Sequence, residues 1–272
     1  MNAHGPSGPP WAFAISIPAP FRAHRHETML AMKAIARITI GLGVFTGFFS
    51  GGLSDAAAKA QPSAAVIIRQ VDAAVEARVE NVTAFTDIEH YAVFRGTDET
   101  HPAAQMTVKD TYRKGLGKTY TVLSQSGSEV VRKFGLEPLL QHEQEINEPG
   151  KVDNSWFTSA NYNMKLKSSG TEQIDGRACY SLAITPRYKA PNMIDGTLWV
   201  DARDFSIVEV KGIASRRPSV FAGTTHMMRQ YKNIDGYSMA THARAESDSW
   251  LVGRTVVLID YSEYHLKLRS PR

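Results

Sequence analysis

Cysteine is almost absent from this sequence of 272 residues, with Cys179 as the single example. One thiol cannot form an internal disulfide, a thiolate metal cluster or a CxxC redox pair. The chain therefore has to be stabilised by a packed core, and its hydrophobic fraction of 43% is sufficient for one. Cys179 itself is expected to face that core.

A strong charge of one sign is also lacking. The formal net charge is +4, but residues 1–60 hold five basic and two acidic groups, which leaves 26 basic and 25 acidic groups in the rest of the chain. Such a balance does not provide the cationic surface that neutralises phosphates. We therefore expect no nucleic-acid partner.

Local signatures of catalysis are missing as well. His142-Glu143 does not continue into an HExxH motif, and there is no GxSxG elbow, phosphate-binding glycine loop or dinucleotide fingerprint. The acidic group at Glu143, Glu145 and Glu148 is typical of a solvated helix face. The histidines after the leader lie on separate predicted elements without ligand spacing. We therefore predict no catalytic residues, no metal site and no cofactor.

Residues 29–60 have the order of a secretory signal. Lys33 and Arg37 precede an uncharged apolar run at 38–53, which is shorter than the ~20 residues needed to cross a bilayer core. Small residues follow, and Ala58-Lys59-Ala60 forms an A-x-A cleavage site. We predict export to the periplasm with cleavage after Ala60; an uncleaved anchor helix is the alternative. Residues 1–28 are interpreted as a misassigned or disordered extension.

The remaining residues, 61–272, are expected to form one domain. An amphipathic helix begins after Ser63, with apolar residues such as Ile67, Val71 and Val75 at spacings of three and four. After Asn81 the sequence changes to runs rich in Thr, Tyr, Val and Phe separated by Gly, Asp or Asn turns, which is typical of an antiparallel meander. The ten predicted strands are Ala84 to Arg95, Ala104 to Lys114, Lys118 to Ser126, Tyr162 to Gln173, Arg177 to Pro186, Gly196 to Asp201, Phe205 to Ala214, Thr224 to Asn233, Tyr237 to Glu246 and Arg254 to Leu266.

Ser128 to Ile146 interrupts the meander with a broken helical period, so we predict a helical insertion that Pro138 kinks or splits. The fold class is therefore mainly β with α: a single curved antiparallel sheet, with the N-terminal helix and the insertion on its concave side. A sheet of about ten strands tends to curl, and two short helices cover only part of the concavity. We expect an apolar cavity in the remainder; a solid interior filled by side chains is the alternative.

Alternation along the strands selects candidate residues for the cavity wall. In Arg177 to Pro186, for instance, Tyr180, Leu182 and Ile184 share one face. The residues predicted to line the cavity wall and contact its ligand are Met106, Val108, Tyr112, Tyr180, Leu182, Ile184, Leu198, Trp199, Val208 and Val210. Methionines at 106, 164, 193, 227, 228 and 239 would either soften this wall or fill gaps in the core. Arg216, Arg217, Arg229 and Lys232 form a modest basic patch, either a headgroup contact or an ordinary solvated loop.

The hairpin motifs resemble a known family. A strand ending in an Asp-Gly turn leads into a Y-x-L-x-I-T-P strand, then an LWVD strand, then I-V-x-V-x-G, all within the stretch IDGRACYSLAITPRYKAPNMIDGTLWVDARDFSIVEVKG at 174–212. Later segments, IDGYSMATHARAES and TVVLIDYSEYHL, are similar to that family's last strands. Over residues 63–266 the chain thus resembles the outer-membrane lipoprotein-sorting proteins, the LolA and LolB-like superfamily.

The resemblance implies an unclosed β barrel whose interior binds acyl chains. The implied partners are an acylated lipoprotein or lipid, together with an inner-membrane transporter or an outer-membrane acceptor. The protein itself is expected to be a monomer. The absence of a lipobox cysteine favours a soluble periplasmic carrier. The alternative functions are an envelope sensor or scaffold that signals through a protein partner and, third, an enzyme acting on lipid.

Overall fold

A computed structural model describes residues 61–149, 156–190, 192–216, 222–249 and 253–270. The predicted leader, its cleavage site and the extension at 1–28 lie outside the described residues, as does Arg217. Helix α1 (Ala64–Asn81) begins where the sequence predicts, because the Ser63 hydroxyl caps it by accepting a hydrogen bond from the Val66 amide at 3.4 Å. Among the described residues, no helix is both long enough and apolar enough to span a membrane.

In the part of the chain that the structure describes, eleven strands form one antiparallel sheet. Its order is β3-β2-β1-β11-β10-β9-β8-β7-β6-β4, with β5 also paired to β6, and the end strands β3 and β4 do not close it into a barrel. The curved, unclosed antiparallel fold predicted from the sequence is therefore confirmed. The strands are β1 (Val82–Arg95), β2 (Ala104–Arg113), β3 (Gly117–Gly127), β4 (Tyr162–Leu166), β5 (Glu172–Ile174), β6 (Arg177–Pro186), β7 (Ile194–Asp201), β8 (Ile207–Ala214), β9 (Ala222–Ile234), β10 (Tyr237–Ser249) and β11 (Gly253–Leu268).

The additional strand comes from the segment predicted as one strand between Tyr162 and Gln173. It is interrupted after Leu166 and resumes at Glu172, so that β4 and β5 pair with opposite halves of β6. The intervening Ser168-Ser169-Gly170 is poorly suited to a strand interior. Elsewhere the Asp-Gly turns act as predicted, since Asp175 and Asp235 adopt φ angles of 49° and 50° that a tight hairpin requires.

The helical insertion runs without a break through α2 (Glu129–Val131), a π-helical turn (Arg132–Leu136) and α3 (Glu137–Ile146). Pro138 lies in the first turn of α3, where its missing N–H costs little. The expected disruption at Pro138 therefore does not occur there, and the irregularity is the π turn that precedes it.

The two helices cover different parts of the inner face of the sheet. Helix α1 packs Ile67, Val71 and Val75 onto strands β4 and β6 to β9. The insertion packs Leu136 and Leu140 onto β1, β2, β10 and β11. Each helix builds its own hydrophobic cluster, and the inner face between the two clusters is left for a cavity.

Candidate ligand-binding cavity

A cavity of about 570 Å³ lies between the inner face of the sheet and the two helices. This volume is within the range of about 300 to 1,000 Å³ that is usual for small-molecule sites. Eight strands contribute to the wall: β1 to β3 and β7 to β11. The apolar residues of the wall include Val75, Val79, Val82, Phe85, Tyr112, Leu139, Ile146, Trp156, Phe157, Ile194, Ile207, Met227, Met239, Val257 and Ile259.

Of the ten residues predicted to contact lipid, the structure places one, Tyr112, on this wall, where it stacks on Phe85 with ring centroids 5.0 Å apart. The others lie elsewhere because the helices cover their parts of the sheet. Met106 and Val108 lie in the cluster beneath the insertion. The five beneath α1 are Tyr180, Leu182, Ile184, Leu198 and Val210.

The remaining two of the ten are Trp199 and Val208. Trp199 alternates with buried Leu198 and Val200, and its indole nitrogen donates to Glu172 at 2.9 Å. Val208 is buried outside both clusters. Contact of any of the ten with a ligand stays a prediction.

One end of the cavity holds a buried ionic network around Lys118. The Lys118 Nζ lies 2.8 Å from Glu89 Oε1, 3.3 Å from Asp110 Oδ2 and 3.1 Å from Glu143 Oε2. The Tyr91 hydroxyl donates to the other oxygen of Glu89. The Lys118 side chain is 9% exposed, and those of Glu89 and Asp110 are 2% exposed. We call Asp87, Glu89, Asp110, Lys118 and Glu143 the ionic network.

Strand register brings these groups together. Asp87 is directly opposite Asp110 on the β1–β2 ladder, while Glu89 is two residues further along the same face. Lys118 begins β3 opposite Tyr112 and reaches the same face. Glu143 comes from α3 and is 15% exposed, whereas Glu145 and Glu148 are exposed. The solvated helix face predicted from sequence therefore holds for Glu145 alone, because Glu143 is turned inward and Glu148 lies beyond the end of α3.

Burial dominates the protonation of the network. It raises the pKa of Asp87 to about 8, with the neighbouring Glu89 carboxylate adding to the effect. Burial likewise raises the pKa of Asp110 to about 7, against the opposing effect of Lys118. For Lys118 itself, burial alone would lower the pKa, but the three carboxylates outweigh it and hold the pKa above its usual value. Asp87 and Asp110 can thus exchange protons near neutral pH.

Several buried polar atoms of the wall have no hydrogen-bond partner among the described residues. They are both carboxylate oxygens of Asp87, His142 Nε2 and Thr225 Oγ1. Asp87 is 2% exposed and Thr225 is 8% exposed. Unpaired buried polar groups are uncommon in native structures because each one costs free energy. Their clustering around one cavity indicates a site for polar groups as well as apolar ones.

Two arginines lie on other parts of the wall. The Arg78 guanidinium of α1 lies 4.3 Å from the centroid of the Trp156 ring, and its Nη1 is 3.9 Å from Met239 Sδ. Burial lowers the pKa of Arg78. Arg229, on β9, also lines the cavity. The sequence places Arg229 in a surface patch, but its strand position directs it inward instead.

Carboxylate oxygens of Asp87, Glu89 and Asp110 lie within 4.8 Å of one another, so these three residues are the group best placed to hold a metal ion among the described residues. Lys118 already contacts two of them. The chemistry available here is the binding of positive charge or of hydrogen-bond donors. Asp110 carried a signal in the sequence, because it shares the inward alternation of Met106, Val108 and Tyr112.

No family model and no curated protein matches the chain. Solved structures similar to it include a LolA superfamily protein from Nitrosomonas europaea, at 15% identity, with 78% of this chain and 96% of that chain covered and a TM-score of 0.40. A DUF1329 family protein from Desulfovibrio piger has 16% identity, coverages of 75% and 95%, and a TM-score of 0.38. A putative outer membrane lipoprotein-sorting protein domain from Vibrio parahaemolyticus has 12% identity, coverages of 73% and 91%, and a TM-score of 0.42.

Two of these three structures are named for the family that the hairpin motifs resemble. At such identities and TM-scores the likeness is one of general fold. The functional argument therefore rests on the cavity itself.

Proposed function

We propose that the protein is a lipid-binding carrier of the periplasm that shelters acyl chains in the cavity between its sheet and its two helices. The single observation that supports this most is the cavity of about 570 Å³ with its largely apolar wall. Binding and release of a lipid require no nucleophile or general base. The predicted signal at residues 29–60 supports export, and the carrier would move lipid or acylated lipoprotein between envelope sites.

The energetics of an acyl chain suit such a cavity. Burying one methylene is worth about 0.8 kcal/mol, so a chain of ~16 carbons offers on the order of 12 kcal/mol. A carrier also has to release its ligand, which favours a wall that can deform. Met227 and Met239 line the cavity, and the unbranched methionine side chain adapts readily to different shapes.

Filling the cavity tests this proposal. Ala74 of α1 lines the cavity, whereas its neighbour Ala73 is exposed and does not. We expect Ala74→Trp to weaken binding of a fluorescent fatty acid of ~16 carbons by at least about tenfold, since excluding two methylenes at about 0.8 kcal/mol each is already worth that factor. Equilibrium titration of the fluorescence measures the effect.

Ala73→Trp is the matched control, because it adds the same side chain to the same helix outside the cavity. It should bind the fatty acid like the wild type. Equal affinities for Ala74→Trp and Ala73→Trp, with both variants folded, would contradict a ligand site in this cavity.

A further inference from the structure

Within the ionic network, Asp87 differs from the other carboxylates. Lys118 donates hydrogen bonds to Glu89 and Glu143 and forms an ion pair with Asp110 at 3.3 Å, but no ion pair links it to Asp87 among the described residues. Asp87 is as deeply buried as Glu89 and Asp110, yet neither of its oxygens has a partner at hydrogen-bond geometry among the described residues, and the Tyr264 hydroxyl is the one neighbouring donor that acts on its pKa. Asp87 also lines the cavity. A ligand in the cavity can therefore reach it.

The charge of the network is unbalanced. Among the described residues, four carboxyl groups surround one ammonium group, and Arg229 also acts on Glu143, so ionisation of a third carboxyl group leaves excess negative charge in a buried place. An added cation at Asp87 would offset this excess and supply the missing donors. The other polar groups of the cavity wall near the network are His142, Arg229, Tyr261 and Tyr264.

We propose that Asp87, supported by Glu89 and Asp110, binds an ammonium group at the polar end of the ligand, so that the cavity selects amine-bearing amphiphiles. This inference rests on the proposed function, because the apolar wall has to bind the chain that carries the amine. It names the class of headgroup that the carrier prefers.

A metal ion is the competing occupant of the same three residues. An ion bridging all three would use oxygens that lie 2.8 Å and 3.3 Å from the Lys118 Nζ, and would therefore bind against the repulsion of that ammonium group. The headgroup of an amphiphile needs only Asp87, the carboxyl that Lys118 does not contact. The geometry thus favours an organic ammonium over a metal.

Arg78 and Arg229 do not oppose this assignment. Arg78 lies on α1 beside Trp156, and Arg229 on β9 acts on Glu143, whose pKa it helps to lower, whereas Asp87 lies on β1. They offer donors to an acceptor elsewhere on the same ligand. A ligand that carried only an acid would instead meet the carboxylates of the network when its polar end lay beside Asp87.

The test compares three amphiphiles with the same chain and different ends: dodecylamine, dodecanol and dodecanoate, titrated calorimetrically at pH 7. Wild-type protein should bind dodecylamine about tenfold more tightly than dodecanol, as expected for one charge-assisted hydrogen-bonded contact, and dodecanoate most weakly. Asp87→Asn should lose the preference for the amine and keep its affinity for dodecanol. Glu76→Gln, an exposed change of the same kind on α1, should behave like the wild type.

Proton release gives a second readout that a structural role of Asp87 would not produce. The Asp87 carboxyl, with its pKa near 8, is largely protonated at pH 7 in the free protein. Ammonium binding should expel that proton, so titrations in buffers of different ionisation enthalpy should report release of up to about one proton per dodecylamine. Dodecanol should release none, and Asp87→Asn should release none with either ligand.

The outcomes separate the two levels of the proposal. Three outcomes would overturn the headgroup assignment while leaving the cavity as a lipid site. The wild type could bind dodecylamine and dodecanol equally, it could bind dodecanoate most tightly, or the preference for the amine could survive in Asp87→Asn. Binding of Ca²⁺ alone that disappears in Asp87→Asn would overturn it in favour of a metal. If none of the three amphiphiles binds, the carrier function itself is wrong.

Discussion

Replacement of Lys118 by methionine is expected to lower the free energy of unfolding by about 3 to 5 kcal/mol, the usual cost of removing one partner from a buried ion pair. Lys118 is the one ammonium group that contacts Glu89, Asp110 and Glu143, and its side chain is 9% exposed. Without it, Glu89 and Asp110 remain buried without the ammonium group that contacts them, and Glu143 keeps only the charge of Arg229. Urea-induced unfolding at pH 7 measures the loss.

The matched control is Lys165→Met on β4, where the lysine is exposed. It should change the free energy of unfolding by less than about 0.5 kcal/mol, as surface substitutions usually do. The deficit of Lys118→Met should shrink as the pH is lowered to 5, because protonation removes the repulsion among the carboxylates. A loss below about 1 kcal/mol at pH 7 would show that the network does not depend on Lys118.

Asp87→Asn should have the opposite effect at alkaline pH and stabilise the protein. The pKa of Asp87 rises from an ordinary 3.8 to about 8 on folding, so between these values the folded protein holds a proton that the unfolded chain has lost. The stability of the wild type therefore falls as the pH rises through this window, by about 1.4 kcal/mol per pH unit, and the stability present below pH 4 is lost once the pH exceeds 8. Asparagine does not ionise and escapes this loss.

We expect Asp87→Asn and the wild type to have similar free energies of unfolding at pH 5, and the variant to be more stable by about 4 kcal/mol at pH 8.5. Urea unfolding at both pH values measures the difference. Asp195→Asn, which changes an exposed aspartate on β7, should show no such pH-dependent gain. A constant difference between Asp87→Asn and the wild type across pH 5 to 8.5 would contradict a buried, protonated Asp87.

Much of the fold could be predicted because its signals are local. Asp-Gly pairs specify hairpin turns by their backbone conformation, and the Ser63 cap marks the start of α1. Strand β6 has the predicted bounds, Arg177–Pro186. The break between β4 and β5 is not among the predictions, although Ser168-Ser169-Gly170 is poorly suited to a strand interior.

The cavity was harder to predict, because its position depends on which part of the inner face of the sheet the two helices leave uncovered. Alternation correctly groups Tyr180, Leu182 and Ile184 on one face, but it does not reveal that Ile67 and Val71 of α1 cover them. Tyr112 belongs to neither cluster and lines the cavity. Whether a wall residue is covered by a helix or faces the cavity is set by tertiary packing, and the periodicity of a strand carries no information about it.

The ionic network is another feature that local reading does not reveal. Asp87, Asp110 and Lys118 belong to three strands, and Glu143 belongs to a helix that looks solvated by its composition. Charged residues at inward positions of a strand are the one available signal, since a buried charge has to be paired. Asp110 alternates with Met106 and Val108, and this pattern could have indicated a polar site within the sheet.

Native mass spectrometry tests the central claim most directly. The protein would be incubated with an extract of bacterial membrane lipids, separated from unbound lipid without detergent, and its intact mass measured. The account predicts that wild-type protein and Ala73→Trp carry one intact lipid, which dissociates on activation, and that Ala74→Trp carries little or none. A wild-type protein that retains only its own mass after this treatment, as Ala74→Trp does, would contradict the account.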